Sequence, residues 1–193
     1  TLPYCSIAQE YETAGAGCVS VLTEPNWFLG DDRYLREIAG AVSIPVLRKD
    51  FTIDEYQIYE AKTLGAHGVL LICALLDTRT RAQYLDIAHG LGLSAIVEAH
   101  TAAETDSAVA AGAEIIGINN RNLKTFAVDL DTSVHLRDRV PPDRLFVSES
   151  GIRTAEDVAA LRKIGADGVL IGETLMRSPN KTQTLRAFRG TEV

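Results

Sequence analysis

A lysine and two glutamates stand where apolar strands end. Lys49 closes Ile44-Pro45-Val46-Leu47-Arg48, Glu98 closes Leu93-Ser94-Ala95-Ile96-Val97, and Glu149 closes Leu145-Phe146-Val147-Ser148. A buried ammonium or carboxylate must be paired or shifted in pKa, which is how an acid or base is poised near neutral pH. Further polar residues recur at equivalent points: Ser20 and Glu24, Asp50, Asn119-Asn120-Arg121, Ser150-Gly151 and Gly172-Glu173. The last two pairs join small residues to free backbone N–H groups, a combination that lets an anion such as phosphate approach. From position alone two readings stay open. One is acid/base and anion-binding chemistry; the other is solvated charges that pair with each other, with Gly151 and Gly172 serving tight turns. No metal is expected, because His67, His89, His100 and His135 are scattered, with no pair at ligand spacing.

The elements that must position these residues follow from a recurring stretch. Ala14-Gly15-Ala16 before Val19-Ser20-Val21-Leu22 is echoed by Gly65-Ala66 before Val69-Leu70-Leu71-Ile72. It returns as Gly112-Ala113 before Ile115-Ile116-Gly117-Ile118, and as Gly165-Ala166 before Val169-Leu170-Ile171. Each Gly-Ala follows a helical pattern and precedes a short apolar run, so it reads as a helix C-cap feeding a buried strand. The four glycines lie 50, 47 and 53 positions apart, and strands centred on Val46, Ile96 and Phe146 fall between them. The merged series predicts seven strands near 18–22, 45–49, 69–73, 94–98, 115–119, 145–149 and 168–172, separated by helical stretches such as Tyr56, Ile58, Tyr59, Ala61, Leu64.

Alternating strand and helix demands parallel strands with right-handed crossovers, and near-continuous apolar strands demand cover on both faces. No Gly-rich nucleotide loop follows an early strand, so the even repeat favours an α/β (β/α)8 TIM barrel, whose chemistry sits at the C-terminal ends of its strands. That fold has eight strands and about 250 residues, whereas this chain has 193 residues. The helical segment Cys5 to Ala14 has no strand before it. The expectation is one barrel domain over 1–193 with seven of eight strands, the first strand and a preceding N-terminal helix being absent. Two sheet edges would then lie open.

Composition bounds the partners. Hydrophobic residues make up 46% of the chain, enough for a full core. There is no run of eighteen apolar residues, so no membrane span is expected, and a formal net charge of −7 argues against nucleic acid. Cys5, Cys18 and Cys73, an odd count in apolar contexts, read as small core residues in a reducing compartment.

Several blocks carry a family resemblance. Ile44-Pro45-Val46-Leu47-Arg48-Lys49-Asp50-Phe51 with Tyr56-Gln57-Ile58, Val97-Glu98-Ala99-His100 and Gly117-Ile118-Asn119-Asn120-Arg121-Asn122-Leu123 occur in order. Ser148-Glu149-Ser150-Gly151-Ile152 and Ile171-Gly172-Glu173-Thr174-Leu175-Met176 follow, while Ser20-Val21-Leu22-Thr23-Glu24 with Trp27-Phe28 comes first. Together they resemble the indole-3-glycerol-phosphate synthase family along essentially the whole chain.

The resemblance implies a carboxy-lyase of tryptophan biosynthesis, cytoplasmic, needing neither metal nor organic cofactor. Such enzymes close an indole ring on 1-(2-carboxyphenylamino)-1-deoxyribulose 5-phosphate and release carbon dioxide and water. It assigns Lys49 the proton donation that makes the ketone electrophilic, Glu98 acid/base work in dehydration, and Glu149 with Asn119 the holding of substrate, supported by Arg121. Ser20, Phe28, Leu70 and Ser150 are implied substrate contacts, Phe28 and Leu70 around the anthranilate ring. Phosphate would rest on Ser150, Gly151, Gly172 and the N–H of Glu173. The implied partner is a phosphorylated small molecule, in a monomer or weak homo-oligomer, alone or joined to other tryptophan-pathway enzymes. One departure stands at the front. The family's first-strand block Glu-x-Lys-x-x-Ser-Pro-Ser is not found, and a polypeptide beginning at Thr1 is expected to turn over poorly or not at all. Two alternatives accompany this reading: a truncated, non-catalytic phosphate-binding barrel, and another pathway barrel such as phosphoribosylanthranilate isomerase.

Overall fold

The computed structural model describes residues 2–122 and 125–190; Leu123, the end of one motif above, lies outside them. Seven strands form one sheet in chain order: β1 (Val19–Leu22), β2 (Val46–Lys49), β3 (Gly68–Ile72), β4 (Ser94–Ala99), β5 (Ile115–Asn119), β6 (Leu145–Glu149) and β7 (Gly168–Leu170). Every neighbouring pair is parallel, and each strand falls within two residues of its expected bounds. Between them run α2 (Asp32–Ala41), α3 (Tyr56–Thr63), α4 (Thr78–Gly90), α5 (Ala102–Ala110), α6 (Asp131–Leu136) and α7 (Ala155–Lys163). Helix α1 (Tyr4–Thr13) precedes β1, and α8 (Glu173–Arg177) and α9 (Lys181–Arg189) follow β7.

The Gly-Ala dipeptides end helices as their chemistry requires. At the end of α3, Gly65 has φ +90°, and the N–H groups of Gly65 and Ala66 donate to Lys62 O at 3.1 Å and Ala61 O at 3.0 Å. This paired closure satisfies carbonyls that the last turn leaves orphaned. The same two bonds end α1, α5 and α7. Helix α4 ends in the same way at Gly92 and Leu93, with no Gly-Ala to signal it.

Parity along the strands sorts the sheet into two faces. Val19, Val46, Val69, Leu71, Val97, Ile116, Ile118 and Phe146 face the helices and form the main core with Leu35, Ile58, Ala61, Leu85 and Ala108. A second cluster, built on Ile152, Val158, Leu161, Leu175 and Phe188, packs under α7 to α9; both clusters meet Ile164 and Ala166. Cys73 is buried and Cys5 half-buried, but Cys18 is exposed at the foot of edge strand β1, which corrects its placement in the core.

The register puts the other parity on the concave face: Ser20 beside Leu47, Leu22 beside Lys49, Ile72 beside Glu98, Glu98 beside Gly117, and Asn119 beside Glu149. Among the described residues β1 and β7 each have a strand neighbour on one side only. Outside the sheet, α1 reaches across to α9. The Glu10 carboxylate accepts from Thr182 N at 3.1 Å and Thr182 Oγ1 at 3.0 Å, capping the first turn of α9. Among the described residues no helix is long and apolar enough to cross a membrane.

Candidate functional site

Strand parity separates neighbouring charges in the Arg48-Lys49-Asp50 run. Arg48 points to the helices, where it meets Asp32 at 2.9 Å, Glu60 at 2.9 Å and Asp50 at 3.5 Å, and its Nε donates to Thr23 Oγ1 at 3.0 Å. It is a buried bracket for β2. Lys49 points the other way, onto the concave face at the C-terminal end of the sheet. There its Nζ lies 3.5 Å from Glu98 Oε2, an ion-pair distance too long for a strong hydrogen bond. Asn119 and Asn120 divide by the same rule. Asn119 joins the concave face beside Glu98. Asn120, buried toward the helices, donates to Ser148 Oγ (3.0 Å), Glu149 O (3.0 Å) and Ser150 O (3.1 Å) and accepts from Ser133. Asn120 therefore fixes the backbone on which Glu149 and Ser150 sit.

Glu98 and Glu149 are both buried, 2% and 1% exposed, and face each other across β5. That proximity is possible because the residue between them is Gly117. A Cβ there would sit 2.2 Å from Glu149 Oε1 and 3.0 Å from Ile96 Cγ2. Neither carboxylate oxygen of Glu149 finds a hydrogen-bond donor among the described residues.

The two carboxyls are driven apart in acidity. Burial pushes Glu149 up, and the negative charge of Glu98 adds to this against the pull of Lys49, so Glu149 titrates at about 8. Burial also disfavours ionised Glu98. His100, then the Lys49 charge, then the Asn119 side chain outweigh it and hold Glu98 down at about 2. A neutral acid and an ionised base thus stand side by side near pH 7, beside a cation. His100 was not among the residues expected at the site; its Nε2 lies 3.2 Å from Glu98 Oε1. Its signal in the sequence is the spacing Glu98-x-His100, with Glu104 one helical turn further on.

The rim around this centre carries the remaining candidates. Phe28 is half-exposed, and its ring lies 5.7 Å from that of Phe51, whose sequence position had pointed to no role of its own. The loop bearing Phe28 is gathered by Glu24, whose carboxylate accepts from the N–H groups of Asn26, Trp27 and Phe28 at 2.9, 2.6 and 3.1 Å. Leu70 is fully buried on the concave parity of β3. Ser20 sits on the same parity of β1 but is level with Leu47, deeper than Lys49.

On the opposite side of the rim, Ser150 and Gly151 have successive φ of +66° and +81°. Gly151 is required there twice over, since a Cβ would also lie 2.3 Å from Val128 Cγ1. Gly172 precedes α8, and a Cβ on it would meet open space. The Glu173 side chain turns away to Arg121 at 3.4 Å and Arg177 at 3.1 Å. A cleft of about 300 Å³ outside Gly151 is lined by Val128, Asp129, Leu130, Arg153 and Asp157 and includes none of the concave-face charges. Among the described residues no three His, Cys, Asp or Glu side chains are arranged to hold a metal ion.

The family model for indole-3-glycerol phosphate synthase matches residues 3–188. The chain is 63% identical over 189 residues to the indole-3-glycerol phosphate synthase of Ruminiclostridium cellulolyticum, across 98% of this chain and 73% of that one. It is 55% identical over 186 residues to the enzyme of that name from Endomicrobium trichonymphae, across 96% and 72%. Among solved structures it is similar to 3-hexulose-6-phosphate synthase, with TM-score 0.81, 15% identity and coverage of 97% and 92%. Thiamine phosphate pyrophosphorylase from Pyrococcus furiosus gives TM-score 0.76 at 16% identity, across 98% and 89%. At such identities these two likenesses concern the fold alone.

Proposed function

Because this chain belongs to the indole-3-glycerol phosphate synthase family, we propose that its concave-face charges close the indole ring of 1-(2-carboxyphenylamino)-1-deoxyribulose 5-phosphate. The observation that carries this reading is one cation and two carboxyls of opposed acidity at the C-terminal ends of β2, β4 and β6. The Lys49 ammonium donates to the substrate ketone oxygen as the aromatic carbon bearing the carboxylate attacks the carbonyl carbon. The carbon–carbon bond forms, the oxygen becomes a hydroxyl, and loss of carbon dioxide returns its bonding pair to the ring. Dehydration then needs an acid for the departing hydroxyl and a base for the proton lost as the indole becomes aromatic. Glu149, protonated near pH 7, suits the first task. Ionised Glu98 suits the second.

The rest of the substrate has matching partners. Phe28 and Phe51 offer apolar surface for the anthranilate ring, Leu70 being fully buried on the concave parity of β3, and Asn119 and Ser20 offer polar contacts on the same face. The phosphate belongs at the backbone of Ser150, Gly151, Gly172 and Glu173. Left-handed geometry at the first two turns N–H groups outward, and Arg121 brings a cation beside Glu173. The Glu173 carboxylate, held by two arginines, is kept from repelling the dianion.

The finer form of the fold is a single (β/α)8 barrel domain in which one further strand pairs between β1 and β7. Its support is the one-sided pairing of those strands and the α1–α9 contact spanning them outside. Mixing the protein as its gene encodes it with the carboxyphenylamino substrate, and following indole fluorescence, tests the function. No fluorescent product at saturating substrate refutes it and favours the non-catalytic alternative.

A further inference from the structure

Two glutamates in near-identical positions on one concave face need something to make them different. Both are buried, both are reached by the Lys49 charge, and the negative charge of Glu98 raises Glu149. His100 touches only one of them. Its Nε2 lies 3.2 Å from Glu98 Oε1, while Lys49 approaches the other oxygen, Oε2, at 3.5 Å. Glu98 therefore has a basic group within ion-pair distance of each oxygen, whereas neither oxygen of Glu149 has a hydrogen-bond donor among the described residues.

The imidazole is itself held in place. Glu104 Oε2 accepts from the His100 backbone N–H at 2.7 Å and lies 3.3 Å from the ring Nδ1. Glu104 sits in the first turn of α5, where its own N–H is capped by Thr101 Oγ1 at 3.2 Å. An Nδ1–H directed at Glu104 leaves Nε2 to face a carboxylate, and it can do so favourably only by carrying a proton as well. Burial opposes that proton; Glu98 and Glu104 outweigh it, and His100 is raised above its ordinary value.

Other groups around the histidine do not replace it. Just past β3, Cys73 donates to Glu104 O at 3.5 Å. From α4, Arg81 directs its terminal nitrogens to Leu76 O at 2.6 Å and Ser107 Oγ at 3.0 Å. From β5, Asn119 brings a neutral amide, and from β6 Glu149 brings a second acid.

We infer that His100 is a positioning residue that braces Glu98 through the oxygen Lys49 leaves free and thereby decides which buried carboxyl is the base and which the acid. The inference rests on the ring-closing reading of the site, and it concerns the division of labour within it. A charge-assisted contact of this kind displaces a carboxyl by about one to two pH units.

The test compares wild type with His100→Gln, which can still donate without a charge, and His100→Leu, which cannot donate. Carbon-13 NMR of glutamate-labelled protein, read without substrate, should show the two buried carboxyl titrations drawing together by about one to two pH units in His100→Leu and by less in His100→Gln. In the pH profile of kcat/KM the acid limb should move upward in the same order, with KM near wild type at the pH optimum. Carboxyl titrations and an acid limb unmoved in both variants would overturn the inference, even if activity fell. If no variant and no wild-type protein forms the indole product, the functional reading fails, and the NMR titration alone still decides whether His100 sets Glu98 apart.

Discussion

Gly117→Ala tests the site through a residue that takes part in no chemistry. The added methyl would sit 2.2 Å from Glu149 Oε1, and ordinary contact begins at about 3.4 Å, so the carboxyl must retreat by more than 1 Å. The backbone at 117 has no positive φ, so the substitution carries no conformational penalty of its own. Overpacking costs about 1–3 kcal/mol, offset by about 0.4–1 kcal/mol from the stiffer unfolded chain, leaving a net loss of about 1–2 kcal/mol. For a chain of this size that lowers Tm by roughly 2–8 °C. A displacement of about 1 Å in a reacting group costs on the order of 10²-fold in rate, near 2.7 kcal/mol, so catalysis should suffer more than stability. Indole fluorescence under steady-state conditions gives the rate, and a thermal melt gives the stability. Repeating the change in a Glu149→Asp background, where the shorter acid leaves room, should shrink the rate penalty to a few-fold. Gly117→Ala retaining half or more of wild-type kcat/KM, or showing the same loss in both backgrounds, would refute the crowding of Glu149.

Lys49→Met should abolish ring closure while substrate still binds, seen as a Kd near wild type by fluorescence titration with kcat at background. Arg48→Met removes the cation from among Asp32, Asp50 and Glu60; it should cost about 3 kcal/mol, or roughly 6–12 °C in Tm, with little change in KM, because it faces away from the substrate. The stability of the free protein should fall as pH rises from the ordinary glutamate value of 4.5 through about 8, because folded Glu149 keeps a proton that the unfolded chain releases. Glu149→Gln should flatten that fall in a series of melts across pH. Glu98 contributes with the opposite sign: its stabilisation is present above 4.5 and is lost as pH drops toward about 2.

The strand-end charges were legible because two periodicities coincide in them. A strand has period two, so Lys49, Glu98, Asn119 and Glu149, each at or near the end of an apolar run, share a face once the strands are parallel and in register. The Gly-Ala dipeptides were legible because a helix that ends in a left-handed residue needs little beyond its own last turn. What the sequence hid depends on neighbours distant along the chain. Gly117 looks like any strand glycine until β6 brings Glu149 against it. Arg48 and Asn120 look as reactive as Lys49 and Asn119, and only parity sends them to the helices. His100 has no partner at metal-ligand spacing and so passed as one of four scattered histidines; its partners are carboxylates. Cys18 was drawn into the core by its apolar neighbours, although it stands at the foot of an edge strand.

The bond from Thr182 to Glu10 has a kinetic consequence. Each strand pairs with its predecessor in the chain, so the sheet can grow by short steps that each close a modest loop. The clasp between the first and last long helices joins residues 172 positions apart and gains nothing until both ends are in place. Docking of α1 on α9 should therefore come late in folding, and weakening the clasp should hasten the separation of these two helices far more than it slows the assembly of the sheet.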